Sequence, residues 1–175
     1  MPQGSGTAAA VPAAQAPIAK TTIATGLTYD TLVGRFEREL GRLDAAAIAG
    51  MVERHAPWRD VETAVEAMGG RHGLMIFYRA DQGAVTSLSG REKRCRLYLI
   101  GNPVIANQIV DIDLRGGFYV PFRVCLYDDR GPGGAAICYD RPSSFLAALG
   151  RSELDGFGVL LDGKIDGVVA AICAG

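Results

Sequence analysis

The residues of this chain best suited to chemistry are two arginines, a few small polar side chains and one carboxylate. Arg123 and Arg141 lie near the helix start Ser143-Ser144-Phe145, in sequence or through a hairpin pairing. A second start stands at Asn102-Pro103-Val104. Helix N-termini present free N–H groups and partial positive charge, and a guanidinium adds charge-assisted hydrogen bonds. Asn102, Arg123, Asp140, Arg141 and Ser143 are therefore the candidate ligand set, for a small carboxylate or phosphate. The plainer reading is that Asn102, Ser143 and Ser144 only cap their helices. Asp81, at the end of an apolar strand, is the best-placed lone carboxylate. It would act as a base if desolvated, and it would equally cap the turn at Gln82-Gly83.

Other constellations are thin. The chain has no G-x-S-x-G, H-E-x-x-H, P-loop, or strand-following G-x-G-x-x-G. His55 falls on the apolar stripe of its helix and reads as a half-buried histidine, while His72 lies in a glycine turn. The cysteines at 95, 125, 138 and 173 form no C-x-x-C, so no metal site is expected and they read as small apolar residues in a reducing compartment. No cofactor is indicated.

Composition bounds the remaining classes. The 175 residues suit one domain, and an apolar fraction of 49% supports a sizeable core. Eighteen basic against 19 acidic side chains leave a net charge of −1, without the basic face that nucleic acid or an anionic membrane surface demands. No apolar run is long enough to span a bilayer. Residues 1–19 lack charged side chains, and Pro12 and Pro17 interrupt them, so they are expected to be a flexible leader rather than a secretory signal. The expectation is a soluble, cytoplasmic protein.

The elements that must position these residues are set by periodicity. Residues 21–25 form a short β-branched strand, and Thr28 caps a helix whose stripe is Tyr29, Leu32, Phe36, Leu40 and Leu43. Asp44 caps a second helix that Pro57 ends, and Pro57 opens a third that Gly69-Gly70 stop. Residues 74–78 are an apolar strand. Residues 94–100 alternate as a half-exposed one, with Cys95, Leu97 and Leu99 on one face and Arg94, Arg96 and Tyr98 on the other. A helix comes next over 104–110, then strands over 118–127 and 135–140, a short helix to Gly150, and a helix over 153–172. Gly158, Gly163 and Gly167 in that last helix suggest close packing against another backbone, in its own sheet or a second subunit. The pattern predicts a single α+β domain over 20–175: a mainly antiparallel sheet packed against several short helices.

Residues 128–134 are turn chemistry throughout, and a symmetric turn pairs residues whose numbers sum to 263. Leu126 then faces Ile137, Val124 faces Tyr139, Cys125 faces Cys138, and Arg123 faces Asp140. Arg123 and Asp140 form either an ion pair on the sheet or an anchor aimed at a ligand.

Taken in order, Asp81-Gln82-Gly83-Ala84, Gly101-Asn102-Pro103, Val120-Pro121-Phe122-Arg123-Val124 and Tyr139-Asp140-Arg141-Pro142 resemble the domain-of-unknown-function 302 family over roughly residues 20–150. The resemblance implies a compact α+β fold, a homodimer, and no established activity. It also implies a histidine where this chain has Gln82, which removes the best acid–base group or metal ligand. Three functions are open at this point: a homodimeric module binding a small anionic ligand, an enzyme on a small substrate with Asp81 as base and Arg123 as anchor, or a structural or protein-interaction domain.

Overall fold

The computed structural model describes residues 17–174. Most of the expected leader, residues 1–16, lies outside them. Six strands form one sheet in the order β1-β6-β5-β4-β3-β2: β1 Lys20–Ala24, β2 Gly41–Arg42, β3 Met75–Ala80, β4 Arg94–Gly101, β5 Phe122–Asp128 and β6 Ala136–Asp140. Every neighbouring pair is antiparallel except β2 with β3. Seven helices accompany it: α1 Tyr29–Glu39, α2 Ala45–Glu53, α3 Trp58–Met68, α4 Gln82–Ser87, α5 Pro103–Ile112, α6 Pro142–Ala147 and α7 Asp155–Ala174. This is the expected α+β domain with a mainly antiparallel sheet.

The core lies on one face of the sheet. Leu32 and Phe36 of α1, Ile105 and Ile109 of α5, Phe145 and Leu146 of α6, and Leu161, Ile165 and Val168 of α7 meet Tyr98, Ile100, Val124, Leu126 and Ile137. In a strand, alternate side chains point to opposite faces. The other face therefore carries Cys95, Leu97, Leu99, Cys125, Tyr127 and Cys138, all only half-buried and none part of the core.

Local chemistry sets the element ends. Thr28, Asp44, Asp81 and Asn102 each accept a backbone N–H at the start of their helices. The hairpin register is the predicted one: Val124 with Tyr139, Cys125 with Cys138, Leu126 with Ile137 and Tyr127 with Ala136.

Several expectations change. The first helix ends at Glu39, because the chain leaves it to pair Gly41–Arg42 with β3, so Leu43 is not on its stripe. Asp81-Gln82-Gly83 opens α4 rather than closing a turn. Residues 114–118 form a 3-10 turn before β5, so that strand starts at Phe122. His55 lies past the end of α2 at φ 50° and is exposed rather than half-buried. At α6 the cap position is Arg141, with Pro142 as the first helical residue, so neither Ser143 nor Ser144 is the cap.

Candidate functional site

Arg123 and Asp140 are opposed on β5 and β6 and meet through a single contact of 3.3 Å, Nη2 to Oδ2. The Arg123 side chain remains 71% exposed. One monodentate contact leaves most of its five donors free for another acceptor. The pair stands at the rim of a cavity of about 390 Å³ whose other walls are largely aromatic. Tyr119 stacks on Phe145 with centroids 5.2 Å apart, Phe122 leans on Phe145 at 6.2 Å, and Phe118 meets Tyr119 edge-on. Phe118 is 85% exposed, and Leu99 closes the side of the cavity towards the open sheet face. An apolar slot with one cation at its mouth suits a small ligand with an aromatic or aliphatic body and an anionic end.

The remaining predicted ligand residues do not join this site. Arg141 is held by Asp166 through two hydrogen bonds of 2.8 and 3.1 Å, and by Asp162 at 3.0 Å. Two carboxylates already neutralise it, and the hydrogen bonds it donates to Asp166 raise its pKa further. The Ser143 hydroxyl donates to Asp162 at 2.6 Å, and the Ser143 N–H donates to the same carboxylate. These contacts tie α6 to α7. Asn102 accepts from the N–H groups of Val104 and Ile105 and donates to the Gly73 carbonyl, so both ends of its amide are engaged. It borders a separate cavity of about 600 Å³, whose walls carry Arg71 and Lys164 together with Glu62 and Glu66. The predicted convergence of Asn102, Arg141 and Ser143 with Arg123 is thereby corrected: the first three are caps and braces.

Asp81 is also a brace. It accepts from the Ala84 N–H at 2.8 Å and from Arg96 Nη2 at 2.9 Å. The Arg96 hydrogen bond, followed by that of Ala84, holds its carboxyl below the usual range. A base needs the opposite shift. Arg96 projects from the helix-covered face of β4, whereas Arg123 belongs to the open face, so Asp81 and Arg123 do not share a cleft.

Sequence reasoning missed one polar cluster. Glu37 of α1, 17% exposed, accepts from the Tyr98 hydroxyl at 2.9 Å, Arg42 at 2.9 Å and Arg79 at 3.1 Å, with Arg96 at 3.5 Å. Burial alone would raise its carboxyl; the Tyr98 hydroxyl and the Arg79 and Arg42 guanidiniums outweigh that and hold it below the ordinary value. The signal was present in β4, whose Arg94, Arg96 and Tyr98 share a face. A strand face that is both basic and aromatic needs an acidic partner when helices cover it.

Known proteins share this architecture. The model of the family described as Domain of unknown function DUF302 matches residues 51–172. The chain belongs to this family. The match begins and ends later than the resemblance read from the motifs: it omits β1 and α1 and takes in most of α7. A DUF302 crystal structure, that of an uncharacterized conserved protein from Bacillus stearothermophilus, superposes with a TM-score of 0.60 at 10% identity. It covers 87% of this chain and 97% of its own. At that identity the likeness speaks for the fold alone. No curated protein matches the chain. Among the described residues of this DUF302 chain, no helix is long and apolar enough to cross a membrane.

Proposed function

We propose that the chain is a homodimeric module that takes a small ligand with an anionic end in the aromatic-walled cavity at Arg123. The observation that carries this reading is the contrast between Arg123 and Arg141. Arg141 is saturated by Asp162 and Asp166, whereas Arg123 has one 3.3 Å contact and an exposed guanidinium beside an apolar cavity. A ligand carboxylate or phosphate would pair with Arg123 bidentately while its body replaces water against Tyr119 and Phe145. Asp140 then orients the guanidinium and disfavours a second negative charge on the ligand.

A thermal-shift screen of aromatic and short-chain carboxylates and phosphates tests this. A ligand at about 100 times its dissociation constant adds about 2.7 kcal/mol of stability. Arg123→Ala should abolish the shift while the unliganded midpoint stays nearly unchanged, because an exposed ion pair contributes only about 0.2–1 kcal/mol. The enzyme alternative has less support, since Asp81 is exposed, paired with Arg96 and held ionised.

A second reading has its own observation. Asn102, Arg141, Ser143 and Asp81 are all occupied in caps and ion pairs, as an interaction domain without a ligand would have them. That reading expects no shift anywhere in the panel, so the same screen separates the two.

A further inference from the structure

Three of the four cysteines stand on neighbouring strands of the open sheet face. Cys125 on β5 and Cys138 on β6 are direct cross-strand partners. Cys95 on β4 is diagonal to Cys125, its own partner being Tyr127. Even so, the Cys95 and Cys125 sulfurs approach to 3.5 Å. Both border a cavity of about 750 Å³, with Tyr127, Arg94 and Arg130 among its walls. This cavity is at the opposite end of β5 from Arg123, so the chemistry of its sulfurs is independent of the ligand proposed there.

The spacing of the sulfurs discriminates between their possible products. A disulfide requires sulfurs about 2.05 Å apart on α-carbons within about 4.4–6.8 Å. Diagonal neighbours in an antiparallel sheet are spaced about 7–8 Å, too far for that bond unless the strands move. A chelate has no such requirement. With sulfur–metal bonds of about 2.3 Å and a bond angle of about 100–110°, two ligating sulfurs sit about 3.5–3.8 Å apart. The observed separation, at which one thiol can donate to the other, is close to that of two sulfurs about one shared atom.

We infer that Cys95 and Cys125 form a dithiol site for a soft, thiophilic centre, with Cys138 as the third sulfur on the adjoining strand. Among the described residues no three or more His, Cys, Asp and Glu groups already stand in metal-holding geometry. The site is accordingly a ready pair, and Cys138 is the cross-strand partner of Cys125 on the adjoining strand. The all-sulfur donor set, without imidazole, selects soft centres such as Cu(I) over harder divalent ions. Thr22 donates its hydroxyl to the Cys138 sulfur at 3.4 Å. A bound ion would deprotonate both thiols. Each Cu(I)–sulfur bond replaces a sulfur–hydrogen bond and releases one proton to solvent. Trivalent arsenic reaches the same product differently: each As–OH condenses with a thiol to give As–S and water.

The test uses the full chain, reduced and kept free of oxygen, in two arms. Cu(I) is titrated against a chromogenic chelator, and arsenite against the loss of thiols open to alkylation. One equivalent bound in either arm is expected, and the arm that responds identifies a metal or a metalloid. Cys95→Ser and Cys125→Ser should each weaken binding at least tenfold, and Cys173→Ser should leave it unchanged. Mapping the alkylated residues of the wild-type chain gives a reading without any variant: the bound ion should protect Cys95 and Cys125 and not Cys173. No binding in either arm overturns the proposal, as does undiminished binding in both serine variants. Stoichiometric conversion of the pair to a disulfide by a mild oxidant would also overturn it, by making the pair a redox couple.

Discussion

At the scale of single residues, one densely partnered carboxylate takes no part in the proposed binding. Glu37 gathers the Tyr98 hydroxyl and three guanidiniums under α1, and its carboxyl is held below the usual value. Glu37→Gln keeps the shape and removes the charge, leaving three arginines without their common partner. The expected loss is about 1–2 kcal/mol in denaturant unfolding, modest because Arg42 and Arg79 reach water. The pH dependence has a definite sign. A depressed folded-state pKa makes the unfolded chain the better proton binder, so stability rises with pH through this range. The Glu37 contribution is complete above its unfolded value of about 4.3 and is lost as pH falls through the lower folded value. Acid titrations of the wild type and of Glu37→Gln should therefore converge as the pH drops. Parallel curves would mean that the Glu37 charge does not matter.

At the scale of elements, three of the four glycines of α7, Gly158, Gly163 and Gly167, separate into cases that sequence spacing treats alike. A Cβ at Gly158 would lie 2.6 Å from Ser143 Cα, so this glycine lets α6 seat against α7. A Cβ at Gly167 would lie 2.7 Å from the His72 ring. At Gly163 it would meet nothing within 4 Å. Gly163→Ala should stabilise by up to about 1 kcal/mol, the helix-propensity gain. Gly158→Ala has the same gain and a backbone clash; overpacking costs about 1–3 kcal/mol, so a net loss is expected. Thermal midpoints moving in opposite directions would bear this out. The expectation of close packing against another backbone is thus met at Gly158; Gly167 packs on the His72 side chain instead, and Gly163 is open. The hairpin register was legible because both strands alternate strictly and the intervening turn leaves one symmetric pairing. The orientation of β4 was not. Its apolar residues Cys95, Leu97 and Leu99 face outwards, while Tyr98 is fully buried because Glu37 on the opposing helix receives its hydroxyl. The α4 helix was hidden for a related reason: Gln82-Gly83 reads as a turn, yet a Cβ at Gly83 would strike the Lys93 carbonyl, so glycine is there to let the helix lie against β4. Of the candidate ligand residues only Arg123 and its partner Asp140 stand at the aromatic-walled cavity. Whether an arginine is free or saturated depends on carboxylates distant in the chain, and Asp162 and Asp166 lie 20 or more residues beyond Arg141.

At the scale of the whole molecule, the sheet itself supports the proposed dimer. An antiparallel sheet with one face in water normally turns polar residues outwards on that face. Here Leu97, Leu99, Cys125 and Cys138 occupy its centre, and Tyr78 beside them is 55% exposed. Such a patch marks an interaction surface. Charges of both signs flank it, Arg123 with Asp140 at one end and Arg130 with Glu92 at the other, so a two-fold pairing can match each arginine to a carboxylate of the second copy. A second copy of this chain is thus a fitting occupant, and the Arg123 cavity would then lie towards one end of the shared face, with Cys125 nearer its centre. Sedimentation of the full chain over a hundredfold concentration range should give a dimer that dissociates on dilution. Leu97→Glu places a charge at the centre of the face, where self-pairing opposes it to its own copy, and should yield monomers at every concentration. Because Leu97 is outside the core, the variant should keep the wild-type circular dichroism spectrum. A wild type that stays monomeric at high concentration would remove the dimer from the proposal and leave the Arg123 cavity to be judged by its ligand alone.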